Sequence, residues 1–313
     1  MALGAHVALK RLLVPLDGSR LAEAVLPASV SLAGRLDARL TLLYVMERTA
    51  PATAHGDRHL TLVSEAERYL DEVAGRCRTE GVEVDRHVHP NEVGDVARSI
   101  VDHAAEMAAD LVVLATHGAG GARRVLFGSV AQQVLRRGVR PVLLVRPPAA
   151  GPAAGLPAFS LRRLLVPLDG TSASQAALPI ATLIARAYEA DLLLLRIVPT
   201  LATVSGDRAG TALLVPTATA ASLDLEETEA RRSLEELAAT LRAQGLRASA
   251  VVGRGNPWQG LLDGAAQAGV EMIVMATHGR AGLDAAFSGS VASRVVAKFT
   301  RPLLLVRSPR SAD

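Results

Sequence analysis

A nine-residue segment near the start of the chain returns almost unchanged in the second half. RLLVPLDGS occupies residues 11–19, and RLLVPLDGT occupies residues 163–171. The register then holds without a gap, so that Pro27 matches Pro179, and each half closes on a similar Arg-Pro segment rich in Leu and Val. An internal repeat of this length predicts two copies of one domain in a single chain.

The length of the chain and its middle segment agree with a duplication. The 313 residues suffice for two domains, each large enough to bury a core. Residues 147–159, PPAAGPAAGLPAF, have the Pro, Gly and Ala content of a linker. We therefore place the first domain at residues 1–147, the linker at 148–159 and the second domain at 160–313.

Apolar and helical segments alternate along each half, which indicates the fold class. Half of all residues are apolar but only 3% are aromatic, as suits buried parallel strands covered by helices. In the first half we predict strands at residues 12–16, 40–45, 82–88, 111–115 and 142–145, and helices around 22–36, 64–80, 96–108 and 130–137. The second half repeats this scheme with a longer insert after its second strand. Strict alternation predicts an α/β fold with a five-stranded, doubly wound parallel sheet, Rossmann-like, in each half.

Charge, cysteine content and hydropathy exclude several classes of protein. The net charge is only +3, and no long basic block occurs, so we expect no nucleic-acid partner. No apolar run approaches the roughly 20 residues of a membrane helix, so we expect no membrane association. Cys77 is the single cysteine, and the opening MALGAHVALK lacks the apolar stretch of a signal peptide. We expect a cytoplasmic protein.

Polar and glycine-rich loops follow the first and fourth predicted strands. Ligands of doubly wound sheets bind beyond the carboxyl ends of the strands, where the strand order reverses. The loops that border this crevice contain Pro15, Asp17, Thr116, His117, Gly118, Gly128 and Ser129. A helix opens directly after Gly128-Ser129, so its unpaired backbone amides favour an anion such as phosphate. Asp17 on the opposite side offers acceptors for a ribose or a base.

These residues recur in the second half, and together they resemble the universal stress protein family in tandem form. The family pattern is Gly, two residues, Gly, nine residues, Gly, then Ser or Thr. Gly118, Gly128 and Ser129 match it in the first half, and Gly279, Gly289 and Ser290 match it in the second. The leading Gly of the pattern is Ala115 in one half and Ala276 in the other.

The resemblance implies one adenine nucleotide site in each half, most simply for ATP, with Mg or Mn bridging the phosphates and no metal held by protein side chains alone. It implies contacts from Asp17 and Asp169 to the nucleoside and from the backbone of Val45 and Ile197 to the adenine. The full predicted nucleotide-binding set is Pro15, Asp17, Val45, Ala115, Thr116, His117, Gly118, Gly128, Ser129, Val130, Pro167, Asp169, Ile197, Ala276, Thr277, His278, Gly279, Gly289, Ser290 and Val291.

The same resemblance implies dimerisation through the closing strands, residues 142–145 and 303–306. Each would otherwise be an exposed apolar sheet edge. We predict that the two strands pair, and are exchanged, in an intrachain pseudo-dimer. A further homodimer and an unknown protein partner are compatible with a sensor or regulator of stress responses.

Alternatives remain open at this point. The chain has neither a Gly-x-Ser-x-Gly elbow nor a Gly-Lys-Ser/Thr phosphate loop, so no catalytic residue is assigned. Slow ATP hydrolysis or nucleotidyl transfer, and a nucleotide-free scaffold, are the competing functions. Asp17 and Asp169 could instead cap helices, a role that Ser19 and Thr171 could also fill.

Histidines offer further alternatives. His117 and His278 could be catalytic, but a loop-shaping role is the simpler interpretation. The pairs His87/His89 and His55/His59 have spacings that a metal could use, but no further ligand stands nearby in sequence. Solvated or hydrogen-bonded imidazoles are the simpler interpretation of both pairs.

Overall fold

The computed structural model describes residues 7–49, 53–54, 56–116, 129–147, 156–204, 207–277 and 291–308. Contacts divide these residues into two compact units. The first unit comprises the described residues up to Ser160 together with Thr300–Arg307. The second unit comprises Leu161–Phe299 and Ser308.

The first unit alternates strands and helices in the predicted order. Its strands are β1 (Arg11–Leu16), β2 (Arg39–Glu47), β3 (Thr53–Ala54), β4 (Asp57–Arg58), β5 (Val84–Val93), β6 (Leu111–Ala115) and β7 (Val142–Val145). Its helices are α1 (Leu26–Leu36), α2 (Val63–Arg78), α3 (Val96–Glu106) and α4 (Ser129–Arg137). The pair β3 and β4 forms a small antiparallel hairpin that the sequence did not predict.

The sheet of the first unit is built around β1. Its parallel strands follow the order β5-β2-β1-β6-β7. Leu12 of β1 lies beside Leu40 of β2 on one side and beside Leu111 of β6 on the other. All three side chains are fully buried, as expected for strands covered by helices on both faces. The strand order reverses between β1 and β6.

The first predicted helix, residues 22–36, is divided in the structure. A short 3₁₀ helix occupies Ala22–Val25, and α1 begins only at Leu26. Pro27 therefore lies in the first turn of α1 rather than in a helix interior. A proline in the first turn sacrifices no hydrogen bond, because the N–H it lacks would have no partner within the helix. Pro179 occupies the same place in the second unit.

The second unit repeats this plan. Its strands are β8 (Arg163–Pro167), β9 (Asp191–Val198), β10 (Ala248–Arg254) and β11 (Met272–Thr277). Its helices are α5 (Leu178–Tyr188), α6 (Asp207–Leu214), α7 (Pro216–Ala243), α8 (Pro257–Gln267) and α9 (Val291–Lys298). The four strands are parallel in the order β10-β9-β8-β11. The longer insert after the second strand forms α6 and the first part of the 28-residue α7, whose remainder matches α2.

The last strand of the chain, β12 (Leu303–Arg307), belongs to the first unit. It runs antiparallel to β7, with Leu304 beside Leu143. The Arg307 guanidinium also donates to the carbonyl oxygens of Leu135 and Arg136, at 3.3 and 3.1 Å, at the end of α4. The predicted pairing of the two closing strands is therefore present. β7 is also paired in parallel with β6, the strand that precedes it in its own half. The predicted exchange of the closing strands between the two halves therefore stays a prediction.

None of the helices in the described part of the chain has the length and apolar character needed to cross a bilayer.

We expect the pairing of β12 with β7 to contribute strongly to stability. Leu304 is fully buried, so its replacement by Ala should lower the free energy of unfolding by about 2–5 kcal/mol, the range of buried Leu-to-Ala changes. The same replacement at Leu213, which is 86% exposed, is the matched control and should change it by less than about 0.5 kcal/mol. Urea denaturation followed by circular dichroism measures both. Equal effects of the two variants would contradict the packing described for β12.

Candidate ligand-binding site

The first strand of the first unit ends in an Asp-Gly turn. Oδ1 of Asp17 accepts hydrogen bonds from the Ser19 backbone N–H at 2.9 Å and from the Ser19 hydroxyl at 2.6 Å. The Ser19 hydroxyl oxygen in turn accepts from the N–H of Ala22, the first residue of the 3₁₀ helix, at 3.1 Å. Gly18 has a φ of +85°, a left-handed conformation that favours glycine. The turn thereby holds the Asp17 carboxylate in a defined orientation.

The second unit builds the same turn. Oδ1 of Asp169 accepts from the backbone N–H and the hydroxyl of Thr171, at 2.9 and 2.6 Å. The Thr171 hydroxyl oxygen accepts from the N–H of Ser174 at 3.2 Å, and Gly170 has a φ of +91°. In both units, then, the hydroxyl of Ser19 or Thr171 accepts from the N–H of the first residue of the following 3₁₀ helix, and the aspartate orients that hydroxyl.

A cavity of about 580 Å³ opens beyond the carboxyl ends of the strands in the first unit. Six members of the predicted set line it: Pro15, Asp17, Val45, Ala115, Ser129 and Val130. Thr116 is not among the lining residues; it is buried, and its N–H donates to the Val145 carbonyl oxygen at 2.8 Å. His117, Gly118 and Gly128 lie outside the described residues.

The second unit has a smaller cavity, of about 290 Å³, at the same end of its strands. Its lining includes the predicted residues Pro167, Asp169, Ile197, Ala276, Thr277 and Val291. His278, Gly279, Gly289 and Ser290 lie outside the described residues. In both units a helix begins at the cavity wall, α4 at Ser129 and α9 at Val291.

Tyr44 is a cavity residue that sequence reasoning missed, although it directly precedes the predicted Val45. Its hydroxyl donates to the Leu60 carbonyl oxygen at 3.1 Å. Burial, and then the negative charge of Asp17, raise the pKa of Tyr44 to about 12. The phenol therefore stays neutral and anchors the insert that follows β2.

That insert brings His59 to the cavity wall. The Arg20 N–H donates to the Asp57 carboxylate at 2.8 Å, which ties the hairpin of β3 and β4 to the loop that carries Asp17. His59 is only 7% exposed, and neither of its ring nitrogens has a hydrogen-bond partner among the described residues. Buried polar groups without partners are uncommon in folded proteins and call for an explanation.

Asp95, like Tyr44, is a cavity residue that the sequence did not single out, although an Asp directly before a predicted helix is a recognised capping signal. Its carboxylate accepts from the N–H of Arg98 at 3.0 Å at the start of α3 and is ion-paired with Arg137. The Arg137 hydrogen bond, followed by the Arg98 N–H, lowers the pKa of Asp95 below its ordinary value. The group carries a negative charge at neutral pH.

The second unit differs at the position of Tyr44, which is taken by Arg196. A side-chain carbon added at Gly170 would lie 2.6 Å from the Arg196 guanidinium nitrogen Nη1, so the guanidinium lies against the Asp-Gly turn. Arg196 also forms an ion pair with Glu226 at 3.3 Å. The two cavities therefore share a framework but differ in size and in the charges around them.

Two α/β units, each with an ordered Asp-Gly turn beside a cavity at the carboxyl ends of its strands, define a tandem doubly wound α/β protein with one candidate ligand site in each unit. The family model described as "Universal stress protein family" matches residues 8–146 and again 160–307. The chain belongs to the universal stress protein family and carries two copies of its domain. This confirms the resemblance inferred from the sequence.

Individual relatives agree with this assignment. A universal stress protein of Mycolicibacterium smegmatis is 27% identical over 309 residues, covering 95% of this chain and 96% of that protein. The universal stress protein YxiE of Bacillus subtilis is 29% identical over 149 residues, which are 44% of this chain and 98% of YxiE. The crystal structure of a universal stress protein from Archaeoglobus fulgidus superposes with a TM-score of 0.71 over 95% of this chain and 98% of that one, at 19% identity, and thus shares the fold.

Trp258, the single tryptophan, lies next to the second cavity. Its neighbour Pro257 lines that cavity, and its ring faces Arg294 and Lys298 of α9, at 5.3 and 4.5 Å from the ring centroid. Cation–π contacts of this kind couple the indole to the helix that begins at the cavity wall.

We expect ATP binding in the second cavity to change the emission of Trp258, because a ligand at the start of α9 alters the position or charge environment of Arg294 and Lys298. A fluorescence titration measures the change, and Trp258→Phe is the control that removes the signal. Unchanged emission while calorimetry shows that the second cavity fills would contradict this coupling.

Proposed function

We propose that each half of this universal stress protein binds an adenine nucleotide, ATP above all, and that the chain is a cytoplasmic sensor or regulator of stress responses. The observation that carries the proposal is the repeated cavity. Two units of one chain place a Pro, an Asp held by its own turn, a β-branched apolar residue, an Ala and a helix start around the same space.

The residues of the first cavity suit a nucleotide. A volume of about 580 Å³ falls in the usual range of small-molecule sites, about 300–1,000 Å³. Apolar groups such as Leu43, Val45 and Ile100 offer surface for a base. The Asp17 carboxylate offers acceptors for ribose hydroxyls, and the amides at the start of α4 are donors for phosphate.

A magnesium or manganese ion would bridge the nucleotide's phosphates in this proposal. Both ions prefer oxygen ligands, and Mg²⁺ commonly binds through one or two carboxylates together with substrate phosphates. The carboxylates of Asp17, Glu47 and Asp95 line the first cavity, so suitable oxygens are present. The metal would add positive charge that holds the phosphates.

The proposed role is binding rather than turnover. The cavity-lining residues of the described chain include no nucleophile paired with a general base, since His59 has no hydrogen-bond partner there. Signalling would then follow nucleotide occupancy, with the two halves acting as a pseudo-dimer, alone or in a homodimer, on an unidentified protein. Phosphate release from ATP, compared between the natural chain and Gly128→Trp, separates this role from slow hydrolysis.

We expect the purified chain, once denatured, to release an adenine nucleotide that mass spectrometry identifies. We also expect the first site to bind ATP more tightly, because its cavity is larger and its nine-residue loop contains Arg123 and Arg124 but no acidic residue, whereas the sequence of the second loop contains both Arg280 and Asp284. A tenfold difference requires only about 1.4 kcal/mol.

Calorimetry on Gly128→Trp and Gly289→Trp, each of which leaves one site open, measures the two affinities. The charge argument requires the difference to shrink at high salt, because salt screens exposed charges. Equal affinities at low and high salt would contradict the asymmetry. If neither variant alters nucleotide binding, the proposed sites themselves are wrong.

We further expect His59 to form a hydrogen bond with the bound nucleotide. In the Gly289→Trp background, His59→Phe should weaken ATP binding by about twofold to twelvefold, because a neutral hydrogen bond contributes about 0.5–1.5 kcal/mol. His59→Gln, which retains a donor and an acceptor, should keep more of the affinity.

The stability of the chain without nucleotide is a second, independent test of His59. Because His59→Phe removes buried nitrogens that have no partner among the described residues, the Phe variant should not be less stable than the natural chain when no nucleotide is present. Urea denaturation measures this. Unchanged ATP affinity in the Phe variant would show that His59 does not contact the ligand.

A further inference from the structure

Three histidines meet between the edge strand β5 and helix α3. His87 and His89 are two residues apart on β5 and therefore point to the same face of the sheet, while His103 lies on α3. One ring nitrogen from each lies within 4.8 Å of the other two. The ring centroids of His87 and His89 are 4.9 and 5.0 Å from that of His103.

The hydrogen bonds of His103 define which of its nitrogens is available. Nδ1 lies 2.8 Å from the backbone carbonyl oxygen of Ser99, which can only accept, so Nδ1 carries the proton. In the neutral ring Nε2 then carries the lone pair, which accepts a hydrogen bond from Nε2–H of His87 and can instead bind a metal. Metal-binding histidines are commonly oriented by such a bond from the second nitrogen to a carbonyl oxygen or a carboxylate.

The distances suit a small divalent metal. A tetrahedral zinc ion with Zn–N bonds of about 2.0–2.1 Å places its ligand nitrogens about 3.3 Å apart. Nε2 of His87 lies 3.2 Å from Nε2 of His103. Since all three ligand atoms lie within 4.8 Å of one another, His89 has to approach by at most about 1.5 Å.

The geometry points to a zinc-binding site formed by His87, His89 and His103 in the first unit, with a fourth position for water or another ligand. Imidazole nitrogens suit zinc among the common divalent metals, and the site does not depend on nucleotide binding. Bound zinc would connect the edge strand β5 to α3, the helix whose first turn lines the first cavity through Val96 and Ala97.

The surroundings of His87 favour its neutral form. Burial, followed by the neighbouring rings His103 and His89, lowers the pKa of His87, while the Glu106 carboxylate opposes this shift. A neutral imidazole is the form that binds a metal. Glu106 also places a negative charge near the site, which partly compensates that of a bound cation.

The second unit provides an internal comparison, because all three histidines are absent at the matching positions. His87 lies beside Leu43 and His89 beside Val45, whereas Val251 lies beside Leu195 and Gly253 beside Ile197. His103 corresponds to Gly264 in the ungapped alignment of α3 with α8.

Leu195 and Ile197 occupy the space that the missing side chains leave in the second unit. A carbon added at Gly264 would lie 2.9 Å from Leu195, and one added at Gly253 would lie 2.8 Å from Ile197. One half of the duplication thus packs aliphatic groups where the other gathers three ligands. The zinc site should therefore occur once in each chain.

Isothermal titration of the full chain with zinc, at pH 7.5 in a buffer that does not bind metals, tests the site. We expect one saturable zinc ion per chain, and at least tenfold weaker binding by His89→Ala and by His87→Gln, since even outer-shell partners of metal sites contribute 10–100-fold. His6→Ala, a histidine replacement outside the described residues, should bind like the natural chain. Binding should weaken at pH 5.5, because protons compete for the imidazoles.

Cobalt(II) supplies a readout of geometry, because a four-coordinate site gives intense visible absorption that the His89→Ala variant should lose. The urea midpoints of the variants, measured without metal, verify that they fold. If the natural chain shows no saturable zinc binding, or if folded His89→Ala and His87→Gln bind zinc as tightly as the natural chain does, the proposed site is wrong. Two equal zinc sites per chain would also overturn it.

Discussion

Parallel pairing on both sides of the first strand is the constraint on which the rest of each unit depends. β1 is hydrogen-bonded to β2 and to β6, and β8 to β9 and β11, so the loops that leave these strands all emerge at one edge of the sheet. The turn at Asp17 or Asp169 follows directly, and its left-handed glycine lets the carboxylate fold back onto the next hydroxyl. The buried core thereby determines where polar groups can collect, and the cavity forms where the strand order reverses.

Both units have this strand pairing and this turn, but the side-chain contacts around them differ between the units. Tyr44 holds an insert by a hydrogen bond to Leu60 in the first unit, whereas Arg196 lies against the turn and pairs with Glu226 in the second. An aromatic residue and a cation thus occupy the same strand position, and the two cavities also differ in volume, about 580 against about 290 Å³. Because backbone pairing is independent of these side chains, one half can change its ligand chemistry without changing its fold.

The three histidines are a second case in which the two units share the sheet but differ in the side chains on it. His87 and His89 stand on an edge strand with a period of two, and His103 reaches them only because α3 packs over that face of the sheet. At the matching strand positions of the second unit, Val251 and Gly253 leave space that Ile197 partly fills. A strand face can thus be packed with aliphatic groups or with imidazoles, and the sheet beneath is the same.

The sequence by itself determined the duplication, the α/β class and the order of elements, because apolar periodicity and repeated segments are local properties of the chain. It also located Asp17, Asp169 and the residues around them, since strand ends in parallel sheets share one edge. Tertiary structure alone decided that Thr116 turns to Val145 instead of the cavity, that His59 is buried at the cavity wall, and that His103 joins His87 and His89. Each of these depends on contacts between segments distant in sequence, and such contacts leave no periodic signal along the chain.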